Sequence, residues 1–357
     1  MNHNKKGFTL LEIIVTLFIV MVALAIGYYT FVKVLKLSFY HSSTQKSQIN
    51  TLMGIDLLRY DCEMAGYGLT QSIPKGVDSS NYAEASSSPA KNYNNAPGVP
   101  WPVQIGTYNN ASYLVIRSTI ANINSASRKW SVMYYDGTNW QIQGYSDSLS
   151  WPKNEADNHF TKGTNDDNDY VIILHNKDLY ANSNGLYYFK LSTLLSNANI
   201  PPSDYTYVVY GVDADTTLRM PFNRVDYFLD NTNLPKFCEP STYELYRATI
   251  NQSNGAINKQ PLLDCVKDFE VAIKSGNKWY TSKNPLGSQI DAQNTQEIRI
   301  FILQQSGKFN QEYTNSKTIN LGDSDTGILS TFTPSGNQVH YQWKTINLSI
   351  VPRNLVQ

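Results

Sequence analysis

The sequence predicts an α+β protein in which a long N-terminal helix packs on an antiparallel, β-rich C-terminal domain. Two observations support this fold class. Residues 8–32 form an almost wholly apolar run of about 25 residues, and short runs rich in Val, Ile, Tyr, Phe and Trp recur after residue 112. Such runs, separated by Gly, Asn, Asp, Ser and Pro, are typical of β-strands joined by turns.

The composition favours an extracellular surface over a cytosolic enzyme. The 357-residue chain has 29 basic and 29 acidic residues, so its formal net charge is zero. A balanced charge gives no electrostatic attraction to nucleic acid, which usually requires a basic face. Charged residues make up only 16% of the chain, and Asn, Ser, Thr, Gln and Tyr supply the polar surface instead. We therefore expect no nucleic-acid partner.

The N-terminus reads as a leader followed by a membrane helix. Residues 1–7 are short, polar and basic, and residues 8–32 are long enough to cross a bilayer of roughly 30 Å. Lys5 and Lys6 place the N-terminus in the cytoplasm by the positive-inside rule, although Lys33 and Lys36 reduce the asymmetry. An ordinary secretory signal peptide is disfavoured because its apolar region is shorter, whereas an uncleaved signal anchor remains an alternative.

Glu12 argues against a plain anchor. It is an acidic residue within the apolar run. An ionised carboxylate at membrane depth costs a few kcal/mol, and such residues usually have a partner or a function. The alternative is that Glu12 lies near the membrane surface and reaches water.

The run KKGFTLLE, residues 5–12, resembles the leader junction of type IV pilins and type II secretion pseudopilins. The resemblance implies that a prepilin peptidase cuts between Gly7 and Phe8 and N-methylates Phe8. It also implies that Glu12 faces the N-terminal ammonium of a neighbouring subunit in a filament, since a buried carboxylate needs a cationic partner. Many major pilins carry a proline in the apolar helix, whereas the first proline here is Pro74.

The helix is predicted to continue beyond the membrane to about Ala65. Gly66 and Gly68 would then stop it. Residues 33–66 form the predicted amphipathic continuation of the helix, which would pack on the sheet of the outer domain. Its predicted core stripe, with spacings of four, three and four, consists of Met53, Leu57, Tyr60 and Met64.

The outer domain is predicted to be β-rich in two parts: residues 67–220, with long loops or an insertion, and a C-terminal β-region at residues 221–357. Residues 70–112 show little periodicity and are predicted as loop. Asp136-Gly137 indicates a hairpin. The main predicted strands span residues 113–119, 130–136, 140–145, 170–175, 186–191, 205–212, 224–229, 243–250, 265–274, 297–304 and 341–351.

Parts of the outer chain resemble PilW-like minor pilins. These parts are the helix end LLRYDCEMAGYG at residues 57–68, the strand-like segments 224–229, 244–247 and 261–271, and the Arg-Asn ending at residues 353–354. The resemblance implies a pilin-like fold and a minor pilin that enters a type IV pilus after processing and helps to initiate or cap its assembly. A J-like minor pseudopilin of type II secretion shares this plan but is usually shorter. A membrane-anchored surface binding protein that never polymerises is a third alternative.

The implied partners are the prepilin peptidase, other minor pilins, the major pilin, the inner-membrane assembly platform and a tip adhesin. The implied location is the inner membrane, with a single pass, a cytoplasmic N-terminus and a periplasmic C-terminal domain. After assembly the chain would lie in the pilus at the cell surface.

The cysteines, acidic loops and histidines give no signal for a metal, a cofactor or catalysis. Cys238 and Cys265 both fall in the C-terminal β-region and are the natural disulfide pair, with three free thiols as the alternative. Residues 166–169 and 323–325 could offer oxygen ligands to calcium, but solvated turns are favoured because EF-hand spacing is missing. The same holds for Asp213 and Asp215. Metal-protease, nucleophile-elbow and phosphate-loop motifs do not occur, so we expect a non-enzymatic protein.

Overall fold

The computed structural model describes residues 9–77, 80–122, 124–149, 151–152, 158–195 and 201–355, without the side chains of residues 36, 37, 39–48 and 50. Helix α1 spans Leu10–Glu63, 54 residues without interruption. Its end agrees with the predicted stop near Ala65, and Gly66 follows with a φ of +79°. Because only glycine adopts such a φ without steric cost, it lets the chain turn back toward the sheet.

The strands alternate with turns along the rest of the chain. They are β1 Val103–Tyr108, β2 Ala111–Ser118, β3 Trp130–Tyr135, β4 Trp140–Ile142, β5 Tyr170–His175, β6 Asp178–Leu179, β7 Tyr188–Lys190, β8 Tyr207–Asp213, β9 Asn223–Asp230, β10 Tyr243–Ile250, β11 Ile257–Ser275, β12 Lys278–Thr281, β13 Thr295–Ser306, β14 Ile319–Asp323, β15 Ile328–Phe332 and β16 Gln342–Ile350. Two short helices, α2 Leu191–Leu194 and α3 Gln289–Gln293, lie between them.

The strands form two main sheets and a hairpin. The larger sheet has eight strands in the order β1-β2-β9-β10-β11-β13-β16, with β12 also paired to β11. The smaller sheet has six strands in the order β4-β3-β8-β5-β6, with β7 also paired to β5, and β14 and β15 pair only with each other. The strand pairs are antiparallel, which confirms the predicted α+β class.

Four strands were not predicted from the sequence, among them the two-residue strand β6. Strand β1 lies inside residues 70–112, which were predicted as loop, and the β14–β15 hairpin was not predicted. Gly106 weakens the strand signal of β1, yet a Cβ there would come within 2.2 Å of the Tyr93 ring. The close approach of Tyr93 requires glycine, although glycine is a poor strand former.

The long segment before β1 is attached to the larger sheet by a buried ionic network. Arg117 Nε donates to Glu84 Oε2 at 2.9 Å, and Arg224 donates to the same oxygen at 3.0 Å. Arg224 Nε also lies 2.7 Å from Asp226 Oδ1, and all four side chains are buried. Burial by itself would raise the pKa of Glu84, but the two guanidiniums hold it below its usual value. The network therefore anchors a segment that lacks regular structure around Glu84.

Asp169, immediately before β5, is a buried carboxyl whose negative charge has few stabilising contacts. It is 2% exposed, and its Oδ2 has no hydrogen-bond partner among the described residues. Lys129 Nζ lies 3.8 Å from that oxygen but also pairs with Asp166. Burial raises the pKa of Asp169 from 3.8 to about 7, and Lys129 opposes the shift. Asp169 therefore keeps its proton in the folded chain at pH values where the unfolded chain has lost it.

This predicts that stability falls as pH rises from about 4 to about 7, because the folded state binds the extra proton over that range. Asp169→Asn should remove this part of the pH dependence. At pH 8 its Tm should exceed that of the parent by about 2–4 °C, the shift that corresponds to about 1 kcal/mol in a large domain. Thermal unfolding of the full-length chain in detergent between pH 4 and 8 measures this. Asp204→Asn, at an exposed position, is the control. Equal pH slopes in all three proteins would contradict the assignment.

Candidate assembly helix

The first half of α1 is apolar and is not covered by the rest of the chain. Leu10–Leu35, 26 residues with a mean hydropathy of 2.8, has none of its length buried against the domain. Leu10, Leu24 and Ile26 are 78%, 67% and 63% exposed. At about 1.5 Å per residue the segment is about 39 Å long, which exceeds the roughly 30 Å of a bilayer core. Among the described residues it is the one helix long and apolar enough to cross a membrane.

Glu12 and Thr9 form a capping box at the start of this helix. The backbone N–H of Thr9 donates to Glu12 Oε2 at 2.9 Å, and the Thr9 hydroxyl donates to the same oxygen at 3.1 Å. The N–H of Glu12 donates to Thr9 Oγ1 at 3.3 Å. This reciprocal pattern satisfies two of the amides that a helix N-terminus leaves unpaired. This capping box was not predicted, although Thr9 followed three residues later by Glu12 is its sequence signature.

No residue that the structure describes supplies a cation for the Glu12 carboxylate. Both bonds from Thr9 reach Oε2, and Oε1 accepts no bond from a described residue. The predicted cleavage residues Gly7 and Phe8 lie outside the described residues. Glu12 therefore has a fixed orientation from its cap and one oxygen open to a further donor.

The second half of α1 packs on β11, β13 and β16 of the larger sheet. Its buried residues include Ile55, Leu58 and Cys62, and Ala65 is buried in the turn that follows the helix. The predicted core stripe was wrong, because Met53 is 69% exposed and Tyr60 is 39% exposed. The buried face lies about a third of a turn away and includes small residues. A Cβ on Gly54 would stand 2.8 Å from the carbonyl oxygen of Leu262, so glycine permits this close packing.

A buried acid fixes α1 to the sheet. Asp61 Oδ2 accepts from Arg247 Nε at 2.7 Å and from the Tyr227 hydroxyl at 2.5 Å, and Asp61 is 3% exposed. Arg247 also donates to the carbonyl of Ala121 at 2.9 Å. Burial raises the pKa of Asp61, while the Arg247 guanidinium opposes the shift by stabilising the carboxylate. The three side chains connect the helix to β9 and β10.

A second contact joins the helix to the C-terminal segment. The N–H of Arg353 donates to the carbonyl of Glu63 at 2.8 Å, and the Arg353 guanidinium bonds the Glu63 carboxylate at 2.5 Å. Arg353 is largely exposed, so this ion pair is screened by solvent. The Arg-Asn pair at residues 353–354, which resembles the ending of PilW-like proteins, thus lies against the C-terminal end of α1.

The other predicted site residues lie away from the helix start. Cys238 and Cys265 are bonded, with Cα atoms 5.1 Å apart, and Cys62 is a free thiol on the buried face of α1. Asp166 pairs with Lys129, and Asp323 and Asp325 pair with Arg299. In the part of the chain that the structure describes, no group of three or more His, Cys, Asp or Glu side chains is placed to hold a metal ion.

The family described as the prokaryotic N-terminal methylation motif matches residues 2–28. No curated protein and no solved structure matches the chain. The motif and the apolar helix support a type IV pilin-like protein, of the pilin or pseudopilin kind, and imply processing by a prepilin peptidase and association with pilins. The matched residues end within the uncovered half of α1.

The buried pair of Asp61 and Arg247 predicts a large loss of stability when the Asp61 side chain is truncated. Asp61→Ala leaves the Arg247 guanidinium buried without its charge partner, which costs about 3–5 kcal/mol. Glu63→Ala removes only the partner of the exposed Arg353 and should cost less than about 1 kcal/mol. Chemical unfolding of the full-length variants in detergent measures both losses. Similar losses in the two variants would show that the buried Asp61–Arg247 pair contributes no more to stability than the exposed Glu63–Arg353 pair.

Proposed function

We propose that this chain is a PilW-like minor pilin subunit of a type IV pilus, which enters the filament after cleavage by a prepilin peptidase and helps to initiate or cap assembly. The observation that carries the proposal is the methylation motif at residues 2–28, which overlaps an apolar helix that the chain does not cover. Such a helix requires lipid before assembly and apolar protein surface after it, because exposure of this area to water is strongly unfavourable.

In the membrane stage the chain is a single-pass protein with its N-terminus in the cytoplasm and its sheets in the periplasm. Lys5 and Lys6 support this orientation. The peptidase cuts between Gly7 and Phe8 and methylates the new N-terminus at Phe8. The cut removes the basic leader and leaves an amine close in sequence to the capping box.

In the filament stage Glu12 receives the amine of a neighbouring subunit. The capping box supports this role, because it orients the carboxylate through Oε2 and leaves Oε1 open. Among apolar helices a charge without a partner costs several kcal/mol, so the pair favours one stagger between adjacent helices.

The outer domain has a binding and assembly role rather than a catalytic one in this proposal. Its partners are other minor pilins, the major pilin, the inner-membrane assembly platform and a tip adhesin. Residues 70–220, which include the smaller sheet, carry no resemblance to a named family and are where specificity for a surface partner would lie.

Processing at Gly7 is the first test. Expression with a prepilin peptidase should give a mature chain that begins at Phe8, with one methyl group on its amine. Expression without the peptidase should leave Met1 or the uncut leader in place. Mass spectrometry of the N-terminal peptide measures this, and a cut elsewhere than after Gly7 would overturn the proposal.

Substitution of Glu12 separates its two roles. Gln at this position preserves the capping box, since Glu and Gln both serve there, but it removes the charge. If the carboxylate pairs with an amine, Glu12→Gln and Glu12→Ala should both reduce incorporation into filaments at least tenfold, while membrane insertion and cleavage persist. Thr16→Ala, one turn away, is the control. Normal incorporation of Glu12→Gln would limit the residue to capping.

The two alternatives give different outcomes in the same cells. A pseudopilin would restore protein secretion in a strain that lacks its minor pseudopilin, and would leave piliation unchanged. A membrane-anchored binding protein would stay in the membrane fraction, and Glu12→Ala would not change its distribution.

A further inference from the structure

The two edges of the eight-stranded sheet differ in protection. At the β1 edge the Tyr93 hydroxyl accepts from the N–H of Thr107 at 3.0 Å and donates to its carbonyl at 2.9 Å. At the other edge, β16 pairs with β13 from Gln342–Ser306 to Ile350–Ile298 without a register shift. On its outer side, no described residue hydrogen-bonds the backbone of β16. Tyr93 thus occupies the outward amide and carbonyl of Thr107 at one edge, while the other edge offers free amides and carbonyls along β16.

Strand β16 also lacks the features that usually protect an edge strand from pairing with another chain. Natural edges are shortened, bulged, interrupted by proline or lined with charge, which prevents pairing with another chain. Strand β16 has nine residues, no bulge and no proline, and Lys344 is its one charged residue. A regular edge of this length is a template for a further strand.

One flank of α1 stands beside this edge. Leu52, Arg59 and Glu63 are spaced seven and four residues apart and share one flank of the helix. Glu63 bonds Arg353, which follows β16, so this flank faces the β16 side. Leu52 is 62% exposed there. Along β16, Ile346, Leu348 and Ile350 belong to the core beneath α1, and Ile346 is only half-buried.

We propose that the β16 edge binds an extended segment of a different polypeptide in the same assembly, which joins the sheet as an additional strand. Every second side chain of that segment would be apolar and would contact Ile346 and the Leu52 flank of α1. The intervening side chains would be polar, because they lie beside Thr345, Asn347 and Ser349, which are exposed on the opposite face. Backbone bonds give the affinity, and the apolar positions select the sequence.

The membrane anchor argues against a second copy as the occupant. Two copies in one membrane carry α1 in the same direction. Antiparallel pairing of two β16 edges about a twofold axis normal to the sheet would reverse one helix relative to the other. Pairing of β16 with the β1 edge of another copy meets the Tyr93 closure at Thr107. A strand from another subunit meets neither obstacle.

Hydrogen exchange in the assembled state tests this proposal, which rests on the proposed function. Filaments that contain the chain are compared with the full-length chain in detergent, and exchange in β16 is resolved by fragmentation in the mass spectrometer. In detergent, the amides of alternate residues should exchange quickly. In filaments these same amides should exchange at least about 100-fold more slowly, whereas the protection of β1 should be unchanged.

Proline substitutions at two neighbouring positions of β16 provide a variant and its matched control. Of the adjacent residues Ile346 and Asn347, one has its amide toward β13 and the other has it outward. Proline at the outward position removes no bond within the chain, so Tm should fall little, yet it should abolish the gain in protection on assembly. Proline at the inward position should destabilise the free chain.

Each remaining outcome overturns the inference in a distinct way. Filaments that lack the chain would refute the proposed function and this strand with it. Filaments that contain the chain with fast-exchanging β16 amides would refute the strand alone. Protection that rises with concentration of the purified chain in detergent would identify a second copy as the occupant. Protection of all β16 residues rather than alternate ones would indicate coverage of the face instead of strand addition.

Discussion

The structure depends on one constraint: half of α1 is apolar and the chain does not cover it. The segment Leu10–Leu35 is longer than a bilayer core is thick and contributes nothing to the packing of the domain. The same continuous helix buries its second half against the larger sheet. An environment change around the first half therefore leaves the second half, and the domain that it carries, intact. This division suits a chain that moves from lipid into a filament.

The second half of α1 has to hold the helix at a fixed position on the domain. A helix held by apolar contacts alone could slide along the sheet, since those contacts are not directional. Asp61 prevents this by bonding Arg247 and Tyr227 in one place, and Gly54 lets α1 approach β11 closely enough for that geometry. At the far end, the capping box holds Glu12 in a defined orientation. The acid at the helix start and the sheet are thus connected by one continuous helix.

The sequence predicted the elements with strong local signals and failed where tertiary contacts decide. The helix end, the Asp136-Gly137 hairpin and strands β5 and β10 were placed correctly, because apolar periodicity and turn residues suffice there. The core stripe of α1 was wrong because large residues were favoured, whereas close packing selected Gly54 and Cys62. The bonds of Tyr93 to Thr107 depend on a tertiary contact within a segment that was predicted as loop. Strand β16 was predicted, but the sequence does not give the strand order that leaves it at an edge of the sheet. The motif at residues 2–28 was visible because it is local.

The most direct test of the account is the environment of the first half of α1 before and after assembly. A membrane-soluble, carbene-generating photolabel can be activated in membranes that hold the processed chain and in isolated filaments that contain it, and the labelled peptides can then be mapped. We expect labelling within Leu10–Leu35 in membranes and loss of that labelling in filaments, where other subunits cover the helix. Equal labelling of this segment in both samples, or its protection already in the membrane, would contradict the account.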